Sequence, residues 1–308
     1  MIPKTNFQNY TIIPLEEKLK LLSSAKEWLE NKGIILDSSR FDEVLFLLQE
    51  IVNHQKFNQE ITLLSKYDRV KLNYTSFAAD SFIKIYTTFK NEKSHNIPRK
   101  KLKSIVGGPF LSWDENSPQS SESRNLLFEL EIAAIFKDAG FKITGFDDVD
   151  FRFKHFKINV QCKRLHSEKN VEYNIKSASK QIAKRINNKK NAKGIIALSI
   201  NKMTGTEDRV MSISDKSDIG REMENISELF IRKHSDKWTS LININVIGVL
   251  LFFQGIAVLN KEGQSLQNIC NELAIQILPS ERLQTNDYLL MQEISHQILE
   301  MHKKQGQV

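Results

Sequence analysis

Cysteine is nearly absent from this chain of 308 residues, which has only 2. Cys162 and Cys270 are too few for a disulfide framework and show no CxxC spacing, so the sequence supports neither a stapled secreted scaffold nor a zinc site. Glycine (12) and proline (6) are also sparse, and apolar residues make up 40% of the chain, which excludes disorder as the main state. The amino-terminal stretch MIPKTNFQNYTIIP lacks the charged start and apolar core of an export signal, so a reducing cytoplasm is the expected location. Long hydrophobic runs are missing but for one, LININVIGVLLFFQGIAVL at Leu241 to Leu259. Asn243, Asn245, Gln254 and two glycines interrupt it, and its start alternates as a strand does, which points to two buried strands, Val246 to Phe253 and Ile256 to Leu259, and no membrane span.

Charge is present in excess of one sign. The chain holds 44 Lys+Arg against 37 Asp+Glu, a net +7. Residues 152 to 193 contain thirteen bases and two acids, so this segment alone is +11 and the remainder is 7 − 11 = −4. A basic block in an otherwise slightly acidic protein is the footprint of a face that binds a polyanion.

Apolar spacing from Leu15 to about Phe89 is helical, in three stripes led by Leu15, Phe41 and Phe77. Polar, basic residues 91 to 104 mark a boundary near residue 105. Residues 1–105 then read as an all-α amino-terminal module and 106–308 as a second domain. Beyond Arg124 helix and strand alternate: a helix to Ala139 closed by Gly140, strands at Val149 to Phe153 and Lys157 to Lys163, a helix from Val171 to Ile186, and an apolar strand at Ile195 to Ile200. Ser265 to Ile277 and Asp287 to Met301 read as closing helices. The fold class is α/β, a sheet layer with helices packed on it.

Strand phase selects the candidate site. With Val149, Phe151 and Phe153 facing one way, Asp150 and Arg152 face the other, and Ile158, Val160 and Cys162 likewise leave Asn159, Gln161 and Lys163 together. A carboxylate, an amide oxygen and an ammonium on one side suit metal-assisted phosphodiester hydrolysis. On the preceding helix Glu129 and Glu131 flank the apolar stripe, and either can lean toward Asp150. Lys176, Lys180 and Lys184 recur every four residues on the following helix with Gln181 and Arg185 beside them, and Arg164 follows the second strand. These six are the expected nucleic-acid contacts.

Glu129, Asp150 and Gln161-Cys162-Lys163, followed by a basic helix, resemble the core of the PD-(D/E)XK nuclease superfamily over about residues 124–200. The resemblance implies a restriction-endonuclease-like mixed sheet and a Mg²⁺- or Mn²⁺-dependent endonuclease acting on DNA, in restriction and antiphage defence or in repair. Asp150 would be the central metal ligand, Glu129 and Gln161 the supporting ones, and Lys163 the group that positions the attacking water. In such families the helix glutamate commonly lies eleven residues before the closing glycine, which selects Glu129, with Glu131 second. The proline of the name is replaced by Val149, and Gln161 stands where Glu is usual, as in members that cleave modified DNA. The alternative is a catalytically inactive nucleic-acid-binding subunit of the same fold. Cutting both strands usually takes two active sites, which makes a homodimer the expected form.

Overall fold

The computed structural model describes residues 4–11, 13–56, 68–92, 97–111, 114–115, 117–187, 189, 191–205, 210–213, 216–261, 264–278 and 283–305. Its centre is one mixed sheet of eight strands. These are β1 (Lys4–Thr11), β2 (Lys142–Gly145), β3 (Val149–Phe153), β4 (Phe156–Arg164), β5 (Ala192–Ser199), β6 (Val210–Ile213), β7 (Val246–Lys261) and β8 (Gln264–Ile277). The order is β1-β8-β7-β5-β4-β3-β2, with β6 beside the far half of β7. Strands β4, β5 and β7 run parallel, whereas β2, β3 and β4 form antiparallel neighbours, as do β7, β8 and β1.

Helices cover both faces. Helices α1 (Leu15–Asn31), α2 (Arg40–Lys56), α3 (Arg69–Phe89) and α4 (Arg99–Val106) precede α5 (Pro118–Asp138); α6 (Val171–Ile186), α7 (Asn201–Thr204), α8 (Lys216–Leu241) and α9 (Thr285–Gln305) follow. Helix α5 starts at a capping box between Ser117 and Ser120 with proline in its first turn, and it ends at Gly140, whose φ of 85° suits the residue without a Cβ. Phe136 of α5 stacks on Phe151 of β3 with ring centroids 4.3 Å apart, which puts α5 on the face of Val149 and Phe151. Helix α6 takes the opposite face. Its Val171, Ile175, Ala178, Ile182 and Ile186 are all buried, and Ile182 sits so close to Gly194 of β5 that a Cβ there would lie 2.3 Å from Cγ2. Burying each of the valine and isoleucine side chains contributes about 1.5–3 kcal/mol.

Four expectations are corrected. Residues 265–277 form strand β8, not a helix: the antiparallel ladder from Gly248↔Ile277 to Lys261↔Gln264 supplies backbone hydrogen bonds that outweigh a local 3–4 spacing. The two short strands expected after Val246 are one continuous strand, β7. The amino-terminal region is not purely helical, because β1 pairs with β8 at the sheet's edge. Nor does residue 105 separate two cores, since Phe41, Phe82 and Leu102 belong to the same buried cluster as Phe136 and Ile195. The run from Leu241 is shared between the end of α8 and β7, and among the described residues no helix is long and apolar enough to cross a membrane.

Candidate active site and basic face

The antiparallel register of β3 and β4 sets Asp150 against Asn159. Asn159 Nδ2 donates to Asp150 Oδ1 at 2.9 Å, and Gln161 Nε2 donates to Asn159 Oδ1 at 3.2 Å, a buried chain of three polar side chains along one face of the hairpin. Gly145, paired with Asp150, leaves room for the carboxylate, because a Cβ there would come within 3.1 Å of Oδ2. Two bases reach the same oxygen, Arg185 Nη2 at 3.0 Å and Lys157 Nζ at 3.2 Å. Burial alone would raise the Asp150 pKa, but the hydrogen bond from Asn159 and the charge of Arg185 outweigh it and hold the carboxyl below its ordinary value.

A second group lies beside the first. Glu129 of α5 is paired with Lys101 of α4 at 2.6 Å, and Lys101 also donates to the Phe146 carbonyl. Burial pushes the Glu129 pKa up against the pull of Lys101; Asp148 adds to the rise and Lys163 opposes it. Lys101, Asp148 and Lys163 therefore all lie within electrostatic reach of Glu129. Arg185 joins the groups, since its guanidinium donates to both Asp148 and Asp150. Those aspartates hold the Arg185 pKa above its ordinary value despite burial.

The four residues expected at the site are thus divided: Glu129 falls with Lys163, and Asp150 with Gln161. Asp148, Lys101 and Asn159 are further members. Asp148 carried only a local signal, its place two residues before Asp150 at the end of the turn that leads into β3, where Arg185 reaches both aspartates. Lys101 carried none, since it meets Glu129 from 28 residues away through the packing of α4 on α5.

No protein-family model, curated protein or solved structure matches this chain.

Among the described residues no three His, Cys, Asp or Glu side chains gather as a metal site. The donors themselves fit Mg²⁺ in kind. Glu129 and Asp148 offer carboxylate oxygens, and Gln161, whose amide nitrogen is committed to Asn159, offers its amide oxygen. Lys101 and Arg185 now supply the positive charge that a divalent cation would bring.

Glu131 points elsewhere. It is buried among Ser81, Gln254, Arg164 and Arg40, and burial pushes its pKa up to about 7 against those partners. On α6, Lys176, Lys180, Gln181 and Lys184 are exposed and form a continuous basic face beside the site. Arg185 is turned inward onto the aspartates. Arg164 does not join this face either: its side chain is 6% exposed and paired with Glu115 at 3.1 Å, because its strand phase is opposite to that of Lys163. Cys162 packs half-buried against the core, and burial holds its thiol pKa well above the ordinary value. Phe110 meets Tyr74 edge-on at 5.4 Å, whereas Trp113, a sequence-level candidate for base stacking, lies outside the described residues.

Proposed function

We propose that this chain is a metal-dependent nuclease that hydrolyses DNA phosphodiester bonds. The observation that carries the reading is that Asp148 and Lys163 act electrostatically on Glu129 while Arg185 ties Asp148 to the Asp150–Asn159–Gln161 chain, next to the exposed lysines of α6. The order α5, β2–β3–β4, α6, β5 keeps the expected helix, antiparallel strands, helix, strand sequence with one further strand, β2, and it supports a restriction-endonuclease-like sheet.

In this reading Glu129, Asp148 and Gln161 would hold Mg²⁺ or Mn²⁺, and Asp150, braced by Asn159, would be their neighbour through Arg185. Such an ion, when bound, supplies Lewis-acid neutralisation of phosphate charge and lowers the pKa of water. Lys163 orients the attacking water by a hydrogen bond and stabilises negative charge on the phosphate oxygens. Lys176, Lys180 and Lys184 bind the DNA backbone, and Gln181 contacts substrate beside them.

The test is incubation of the purified chain with supercoiled plasmid, linear duplex and single-stranded DNA in Mg²⁺, Mn²⁺ or EDTA, beside Lys163→Ala, Asp148→Asn and Asp150→Asn. Metal-dependent cleavage that falls at least a hundredfold in Lys163→Ala supports the reading; cleavage retained in all three variants overturns it. A second reading, a nucleic-acid-binding subunit without catalysis, is favoured by one observation: Lys101 and Arg185 already neutralise Glu129, Asp148 and Asp150. DNA binding without cleavage in any metal would select it.

A further inference from the structure

The basic face of α6 carries one side chain that phosphate binding leaves unused. Tyr173 is 72% exposed, the most exposed aromatic ring among the described residues. At about 100° per residue, Lys176 and Lys180 lie about 60° and 20° to one side of it and Lys184 about 20° to the other. The ring therefore stands at the amino-terminal end of the lysine row. No hydrogen bond, ion pair or ring contact engages Tyr173 or these three lysines among the described residues.

The backbone beneath the ring is held in place. Val171 and Ile175 on either side of Tyr173 are fully buried, and Asn174 Nδ2 donates to the Asn170 carbonyl at 2.8 Å. Two acids lie near this end of the row, Glu168 and Glu172, and each is paired at 2.6 Å with a lysine of α8, Lys233 and Lys237. Their charges are answered there and do not set this end of the face against a polyanion. A tyrosine alone on a surface is ordinary. Among unpaired lysines it has a use that they lack. Lysines take the phosphates of duplex and single strand alike, whereas the flat ring can be stacked only by a base that has left its pair.

We infer that α6 recognises an unpaired stretch of a DNA strand, with phosphates on Lys176, Lys180 and Lys184 and one base stacked on Tyr173. Tyr173 lies about 18 Å along the helix axis from Arg185, which touches Asp148 and Asp150. Taking the roughly 3.4 Å rise of a stacked strand as the closest spacing, at most about five nucleotides separate the stacked base from the candidate active site. On the nuclease reading, on which this assignment rests, the substrate is DNA unpaired within that distance of the scissile bond, at an end, a flap or a gap.

Binding is measured in EDTA, so that the result does not depend on cleavage. Fluorescence anisotropy compares the full chain on a labelled single strand and on a blunt duplex of the same sequence. Tyr173→Ala is expected to weaken single-strand binding about tenfold, the loss of one base stack, and to leave duplex binding unchanged. Tyr173→Phe, which keeps the ring, should bind both DNAs as the wild type does. Equal single-strand affinity of Tyr173→Ala and the wild type overturns the inference, as does an equal loss on both DNAs; metal-dependent cleavage then judges the nuclease reading separately. Binding of neither DNA by the wild-type chain at low salt overturns both.

Discussion

Replacing Lys101 by Met tests whether the amino-terminal helices are electrostatically part of the site. The Lys101 ammonium and the Glu129 carboxylate are 2.6 Å apart, with side chains 10% and 17% exposed. At an effective dielectric of about 20 their attraction is roughly 6 kcal/mol. Removing Lys101 also removes its own desolvation cost, and Lys163 still acts on Glu129, so the expected net loss is about 3 kcal/mol. Loss of the hydrogen bond to Phe146 adds about 1 kcal/mol.

The two parts differ in pH dependence. Burial raises the folded-state pKa of Glu129 above 4.5, and without Lys101 it rises further. The folded state then binds a proton that the unfolded state releases, so stability falls as pH increases from about 4.5 upward. Urea unfolding followed by circular dichroism should give a deficit of about 1 kcal/mol for Lys101→Met at pH 4 and about 4 kcal/mol at pH 8. Lys101→Met/Glu129→Gln should return to a deficit near 1 kcal/mol at both. An equal deficit of the single variant at both pH values would refute the electrostatic account and make Lys101 a packing residue.

Glu131 has its folded pKa pushed to about 7 from an ordinary 4.5, so it should destabilise the fold by roughly 3 kcal/mol as pH rises through that interval. Glu131→Gln should flatten the stability profile between pH 5 and 7, as read by thermal unfolding. Gly194→Ala should cost about 1–3 kcal/mol in urea, since its Cβ would meet Ile182, and Ile182→Ala in the same chain should recover part of that loss. Neutralising Lys176, Lys180 and Lys184 to Gln should lower the slope of log K against log salt for duplex DNA by roughly 2.7, at about 0.9 per phosphate contact; an unchanged slope would remove α6 from the proposed DNA interface.

Where structure follows from short-range pattern, the sequence was legible. Helix α6 was read at its observed bounds because all five apolar positions of its stripe lie at period 3.6. The phase of β3 and β4 was read correctly because both strands alternate strictly. Strand β8 was misread because its stability comes from β7, and β1 because a polar octet carries no apolar alternation and gains its ladder only from β8. The site divides along the same line. Asp150, Gln161 and Lys163 could be found from two strands, whereas Lys101, Glu115 and Arg40 acquire their partners only when segments far apart in the chain pack together.

That packing has one consequence for interpreting variants. In β4, Lys163 faces the candidate active site, and Arg164, one residue on, faces Glu115; in α5, Glu129 pairs with Lys101 while Glu131 lies against Ser81 and Gln254. Neighbouring residues therefore belong to different electrostatic groups held by the same backbone. A substitution at Arg164 or Glu131 can disturb Lys163 or Glu129 by shifting β4 or α5 without touching them. A loss of activity at either position is thus not evidence of substrate contact. What separates the cases is stability: a buried pair broken at Arg164 should cost about 3–5 kcal/mol of folding free energy, whereas removing the half-buried Lys163, which neighbours Glu129 without an ion pair as close as that of Lys101, should leave folding nearly intact while abolishing any chemistry it performs.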